Sequence, residues 1–103
     1  MWISLRPSKV ILTEWNIFVD LIVGSEHFVG FDQYLERGRV STAIQSYDKK
    51  TGIGVTQSGS QYQTVGDPGS VNLGALHVLK QVSFYNEVNH FWKYPIDVGS
   101  GHE

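Results

Sequence analysis

The chain has 103 residues, of which 41% are apolar, 13% aromatic and 17% charged. This composition predicts one folded domain and excludes an intrinsically disordered chain. Eight Lys and Arg against ten Asp and Glu give a net charge of −2, which disfavours a nucleic-acid binder that works by neutralising phosphates. The absence of cysteine excludes disulfides and cysteine-based zinc sites. No signal peptide or membrane span is expected, so we predict a cytoplasmic protein.

The first predicted element is a long strand over residues 11–23, where apolar side chains recur at every second position. We expect the odd-numbered positions to form its buried face. The even-numbered positions mix polar residues with Phe18 and Ile22. Because this second face is also partly apolar, we expect Phe18 and Ile22 to contact another copy of the chain.

Turn residues divide the following sequence into further strands. Glycine and aspartate mark turns or loops at residues 24–25, 32–38, 48–52 and 58–59. The strands between them are expected at residues 26–31, 40–47, 53–57 and 60–65.

The glycine-rich segment 66–69, GDPG, lies directly before an apolar-periodic segment. Such turns bind phosphate in many proteins, but the dinucleotide-binding and Walker spacings are absent here. We therefore interpret GDPG as a structural corner that ends the sheet. Apolar residues three or four apart then predict an amphipathic helix over residues 71–86. Residues 87–98 are expected to form a short extended or irregular segment over the core.

Together these elements predict an α+β fold. It consists of an antiparallel meander of five or six strands followed by one C-terminal helix packed on it. Because a sheet has to cover its apolar face, we expect either a curved sheet under the helix or a small closed barrel. We assign residues 1–98 to a single domain and residues 99–103 to a flexible tail.

Residues 38–82 resemble small bacterial proteins of the kind encoded by mobile integron gene cassettes. In that pattern an Arg-Val-Ser strand leads to an aspartate turn, a Thr-x-Ser-Gly-x-x-Tyr hairpin and a Gly-x-Pro-Gly corner. Thr64 departs from it, since an aliphatic residue is expected there. The resemblance implies no particular activity. The matching residues are Arg39, Asp48, Ser58, Gly59, Tyr62, Gly66, Pro68 and Gly69.

No catalytic, metal or cofactor site is predicted. Glu87 and His90 have the spacing of a helical metal-ligand pair, but no second pair joins them. Serines are plentiful, yet the G-x-S-x-G motif is absent. The sequence alone therefore assembles no Ser-His-acid triad.

Two polar residues have both a functional and an ordinary interpretation. Asp20 lies between apolar neighbours and could be a buried general acid with a raised pKa, or an exposed charge that protects a sheet edge. Arg39, with Arg37 and Tyr34 nearby, could stack on a base or bind an anion. The alternative is that these arginines are exposed loop charges.

We expect from these observations a small binding or interaction module that self-associates as a dimer. The alternative is a small-ligand-binding protein or minor enzyme with a pocket between the sheet and the helix. A small molecule or another protein is the alternative partner, whereas membranes and nucleic acid are not expected. The residues expected to line the pocket are Asp20, Tyr62, Trp92 and Arg39.

Overall fold

A computed structural model of the chain describes residues 8–70, 72–82, 85 and 88–96. The predicted tail 99–103, part of the predicted helix 71–86 and Glu87 lie outside the described residues. The described residues form six strands and one helix, which are β1 (Lys9–Asp20), β2 (Glu26–Asp32), β3 (Arg37–Asp48), β4 (Ile53–Thr56), β5 (Gln61–Thr64), α1 (Leu73–Leu79) and β6 (His90–Trp92). No helix among the described residues is long and apolar enough to cross a membrane.

The pairings of β1 to β5 close into a ring. Each strand from β1 to β4 pairs antiparallel with the next, and β5 returns to pair in parallel with the first part of β1. We call this ring the barrel. β6 pairs antiparallel with the last three residues of β1, further along the strand from the part that pairs with β5. The α+β class is thus confirmed, and the sheet is mixed.

The predicted all-antiparallel meander is wrong in one pair, for a geometric reason. A meander reverses its direction at every strand, so the first and fifth strands run the same way. A ring of five strands therefore has to close through one parallel pair, here β1 with β5. The sequence pattern predicts the number of strands and leaves a closed barrel as one of two arrangements, but it does not specify the parallel pair.

A β-bulge in β1 changes which residues point into the barrel. Glu14 has a positive φ of 47°, and the pairing with β2 shifts its register between Thr13 and Asn16. The predicted odd-numbered buried face is therefore wrong before the bulge. After it the prediction is correct for Trp15, Ile17 and Val19, whereas Leu21 and Val23 lie beyond the end of β1 and are exposed. The inward residues are Val10 and Leu12 before it and Trp15, Ile17 and Val19 after it.

Two apolar cores lie on opposite sides of β1. The inner core fills the barrel, and there the rings of Phe28 and Tyr62 stack with centroids 5.1 Å apart. The outer core is formed where α1 packs on β2 and β3, and it buries Phe18. Gly38 permits this contact, because a Cβ at that position would lie 2.0 Å from the Ala75 backbone nitrogen.

The helix is shorter than predicted. Asn72 caps α1 by accepting a hydrogen bond from the Ala75 backbone N–H. After α1 ends, backbone bonds of the three-residue turn type continue, from Gln81 to Val78 and from Val82 to Leu79. The apolar periodicity therefore continues in the packing of Val82 although the regular helix has ended.

Candidate functional site

The predicted ligand pocket is not assembled. Tyr62 pairs with Val10 near the start of β1, whereas Asp20 is the last residue of that strand. The 12 residues of β1 would span roughly 40 Å if fully extended, at about 3.3 Å per residue. Trp92, which pairs with Phe18, lies at the Asp20 end. The four predicted residues thus divide between two ends of the barrel.

At the first end, Arg39 and Tyr62 belong to a buried polar network with Asp32. Arg39 donates from Nη1 to the Asp32 carboxylate at 3.2 Å and from Nε to the Tyr62 hydroxyl at 3.0 Å. The other Asp32 oxygen accepts hydrogen bonds from the backbone N–H groups of Tyr34 and Leu35. Burial raises the pKa of Tyr62. Arg39 is half-buried in β3 rather than an exposed loop charge, and its contacts hold the barrel end together.

At the other end, Asp20 is only 3% exposed. It is not the exposed edge charge of the ordinary interpretation, because β1 is paired along both of its edges. Its Oδ1 accepts a hydrogen bond from the Ile22 backbone N–H at 2.9 Å. Asp20 therefore holds the turn that leads from β1 to β2.

The two predicted interface residues differ in their surroundings. Phe18 is 0% exposed, because α1 and the β6 segment of the same chain cover it. Contrary to the prediction, Phe18 is buried within its own chain and is not available to contact another copy. Ile22 is 66% exposed in the β1–β2 turn. It belongs to a group of five exposed apolar residues, which we call the apolar tip: Leu21, Ile22, Val23, Val88 and Phe91.

A groove beside the β3–β4 turn was not predicted. It consists of two adjoining clefts of about 370 Å³ and about 340 Å³, both lined by Tyr47 and Lys49. The first cleft extends from the β3–β4 turn to the GDPG corner and to Tyr94. The second extends towards Ser25 and Lys93. The only signal in the sequence is an aromatic residue close to the chain's one adjacent lysine pair.

Three aromatic side chains form one wall of the first cleft. Tyr47 and Tyr94 meet the Trp15 ring edge-on, with centroid distances of 5.9 and 5.6 Å. The Trp15 Nε1–H donates to the Gly66 carbonyl at 3.0 Å, and the Tyr47 hydroxyl lies 2.9 Å from Thr64 Oγ1. These hydrogen bonds hold the Trp15 and Tyr47 rings, and we call the three side chains the aromatic wall.

The GDPG corner forms the rim of this cleft. Gly66 and Gly69 have φ values of 83° and 115°. These values favour glycine, because residues with a side chain rarely adopt this backbone conformation. The Gly66 carbonyl faces Trp15, and the Gly69 N–H donates to the Trp15 carbonyl at 3.0 Å. These contacts are those of a structural corner.

Charged side chains of both signs line the groove. Lys49, Lys50 and Lys93 line it, together with the carboxylates of Glu26 and Asp67. Lys93 pairs with Glu26 at 2.9 Å. Neither of the two ion pairs among the described residues involves Lys49 or Lys50. The Lys49 ammonium lies 5.9 Å from the centroid of the Tyr94 ring, so the basic group and the aromatic wall meet.

The described part of the chain holds no group of three or more His, Asp or Glu side chains that could bind a metal ion. No protein-family model, curated protein or solved structure matches the chain.

Proposed function

We propose that the chain is a small binding module whose groove holds a ligand with a planar ring and an attached anionic group. The observation that carries this proposal is the meeting of Lys49 with the aromatic wall at the β3–β4 turn. A ring can pack against Tyr94, and a phosphate or carboxylate on that ring then lies within reach of Lys49 and Lys50.

The size and charge of the groove favour a small ligand over a polymer. The first cleft, at about 370 Å³, is within the range of small-molecule sites. A net charge of −2 disfavours a long polyanion, while a single anionic group needs only a local basic pair. Packing of one ring on an aromatic side chain contributes about 1–3 kcal/mol. With up to about 1 kcal/mol more from each lysine, we expect binding in the millimolar range.

The test is a titration with two matched series of compounds. The first is adenosine 5′-monophosphate, adenosine and ribose 5-phosphate, and the second is indole-3-carboxylate and indole. We expect saturable binding only for compounds with both ring and anion, measured by isothermal titration calorimetry. The two series distinguish phosphate from carboxylate as the preferred anion. If no ring-bearing anion in either series saturates the protein, the proposal is wrong.

Lysine variants locate the binding site. We expect the double substitution Lys49→Ala and Lys50→Ala to weaken binding by about tenfold, because each lost charge contact is worth up to about 1 kcal/mol at a solvated site. The matched control is the double substitution Lys9→Ala and Lys80→Ala, which removes the same charge at two exposed lysines that do not line the groove. Equal losses in both variants would assign the effect to net charge and remove the groove from the proposal.

Self-association is the second candidate function, favoured by the apolar tip. The Leu21 N–H donates to the Asn89 carbonyl at 3.0 Å, so the turn and the segment before β6 lie together. β6 is the last strand in the order of the described sheet. A second copy could pair with its outer edge while covering Ile22 and Phe91.

Sedimentation velocity on two matched variants tests this association. We expect a dimer for the unchanged chain and a monomer for Ile22→Asp. Leu35→Asp is the control, because Leu35 is a similarly exposed aliphatic residue in the β2–β3 turn, and this variant should remain dimeric. A monomeric parent chain at high micromolar concentration would contradict the candidate.

A further inference from the structure

At the start of β2 the structure brings together a serine and a histidine that the sequence alone could not connect. The Ser25 hydroxyl oxygen lies 2.8 Å from His27 Nε2. The two residues are separated by one position, so an extended backbone places both side chains on one face. A nucleophile within hydrogen-bond reach of a base is the first requirement of nucleophilic catalysis.

A backbone carbonyl determines which histidine nitrogen carries the proton. His27 Nδ1 lies 3.0 Å from the Ser41 carbonyl oxygen. A carbonyl oxygen only accepts hydrogen bonds, so Nδ1 carries the proton and Nε2 presents its lone pair to the Ser25 hydroxyl. The Ser41 carbonyl thus orients the imidazole in the way that an acidic side chain does in a catalytic triad.

The surroundings of His27 keep it neutral. Its side chain is buried with an exposed fraction of 4%, and this burial lowers its pKa, against an opposing effect of the nearby Asp20 carboxylate. A neutral imidazole is the form that can accept a proton. The same Asp20 charge would then stabilise the imidazolium formed after proton transfer.

Ser25 is accessible from one side. It is half-buried, and its hydroxyl lies on the face of β2 that carries His27. Its neighbour Gly24 faces open space, since a Cβ built there would meet no atom within 4 Å. A small reagent can therefore approach the turn next to Ser25.

We propose that Ser25 is a nucleophilic serine, activated by His27, that accepts the acyl group of small esters with a good leaving group. Ser25 Oγ forms a bond to the ester carbonyl carbon while its proton passes to His27 Nε2. The bond from that carbon to the leaving oxygen breaks, and the imidazolium returns the proton to the released aryloxide. The products are acyl-Ser25 and a phenol. This reaction is independent of the ligand proposed for the groove.

The contacts limit the substrate class to activated esters such as aryl esters. They supply a base and hold it in place, but they do not define donors for an oxyanion. Esters with a good leaving group depend least on oxyanion stabilisation, so these are the substrates that a serine–histidine pair alone can use.

The test is to incubate the chain with p-nitrophenyl acetate and, separately, with an alkyl fluorophosphonate. We expect a burst of nitrophenolate, one acetyl group per chain by intact mass, and an adduct on Ser25 by peptide mapping. Ser25→Ala should abolish both adducts. Ser58→Ala is the matched control, because Ser58 is also half-buried but its hydroxyl bonds to Thr42, Thr56 and Ser60 instead of a histidine, so its loss should leave the burst unchanged.

A histidine variant tests the role of the base. His27→Gln can still donate to the Ser41 carbonyl but cannot accept the serine proton, so the burst rate should fall by about a hundredfold. Its folding is checked by its thermal transition, and if it does not fold, the Ser25→Ala and Ser58→Ala pair decides alone. An absence of any adduct on the folded parent chain, or adducts that persist in Ser25→Ala, would overturn the proposal.

Discussion

Single buried residues connect separate strands of this protein through their side-chain hydrogen bonds. His27 is the main example, since its ring contacts Ser25 and the Ser41 carbonyl while remaining inside the fold. The hydrogen bond that orients its ring also satisfies a buried polar group. Position and protonation of this histidine are therefore set by the same contacts.

The stability of the protein should depend on pH through His27. Burial lowers the pKa of His27 in the folded chain below its unfolded value of about 6.5. The unfolded chain thus binds a proton that the folded chain does not. The neutral His27 therefore contributes stability that is fully present above the unfolded pKa. This stability is lost as the pH falls from the unfolded pKa through the lower folded pKa. We expect urea unfolding to give a smaller free energy at about pH 5.5 than at about pH 7.5.

Two substitutions separate His27 from the other histidines in this experiment. His27→Gln should reduce the difference between the two pH values, because the buried imidazole is gone. His77→Gln should leave the difference unchanged, because His77 is exposed on α1. An unchanged difference in His27→Gln would show that other groups cause the pH dependence.

At the scale of elements, β1 is organised by its bulge. Glu14 holds a positive φ of 47°, a conformation that costs a residue with a side chain about 1–2 kcal/mol and glycine almost nothing. Without the bulge, the residues after it would point their other face into the barrel. The bulge thus determines which residues of β1 after Glu14 face each of the two cores.

Glycine substitutions at Glu14 and at its neighbour Thr13 should have different effects on stability. We expect Glu14→Gly to leave the free energy of unfolding about unchanged, because relief of the backbone strain offsets the added entropy of the unfolded chain. Thr13→Gly, at a half-buried position with no positive φ, should lose about 1 kcal/mol. Both are measured by urea denaturation. A larger loss at Glu14 than at Thr13 would contradict the strained-bulge interpretation.

Most strands could be predicted from the sequence, since alternation and turn residues act locally. β2, for example, was expected at residues 26–31 and spans Glu26–Asp32. The bulge could not be predicted, because Ile11 and Thr13 continue the odd-numbered pattern without interruption. The two-sided apolar pattern of β1 was real but misinterpreted, since α1 of the same chain covers Phe18.

The groove could not be predicted for a different reason. Its residues come from separate segments, with Trp15 in β1, Tyr47 in β3 and Tyr94 after β6. They meet only because the barrel closes and β6 returns to β1. The Ser25–His27 contact is local, but its tautomer depends on Ser41 from the neighbouring strand.

At the scale of the whole molecule, barrel closure depends on the short parallel pairing of β5 with β1. It joins Lys9–Leu12 to Gln61–Thr64, and the Val65 N–H donates to the Leu12 carbonyl at 2.9 Å just beyond it. Val65 is itself exposed, so its backbone can be altered with little effect on packing.

Proline at this position tests the importance of the closure. Val65→Pro removes the N–H that bonds to Leu12, whereas Val65→Ala keeps it. We expect the proline variant to lose about 1–3 kcal/mol more than the alanine variant, measured by urea denaturation. Equal stabilities would mean that the barrel does not depend on this hydrogen bond.

The placement of two apolar cores on either side of β1 has a consequence for how the protein opens. Ile17 and Phe18 are neighbours in the chain, yet one faces the barrel and the other faces α1. The outer layer of α1 and β6 can therefore separate while the ring of strands stays intact. Amide hydrogen exchange should show two levels of protection. The backbone of α1 and β6 exchanges through partial opening, and that of β1 to β5 exchanges only through global unfolding.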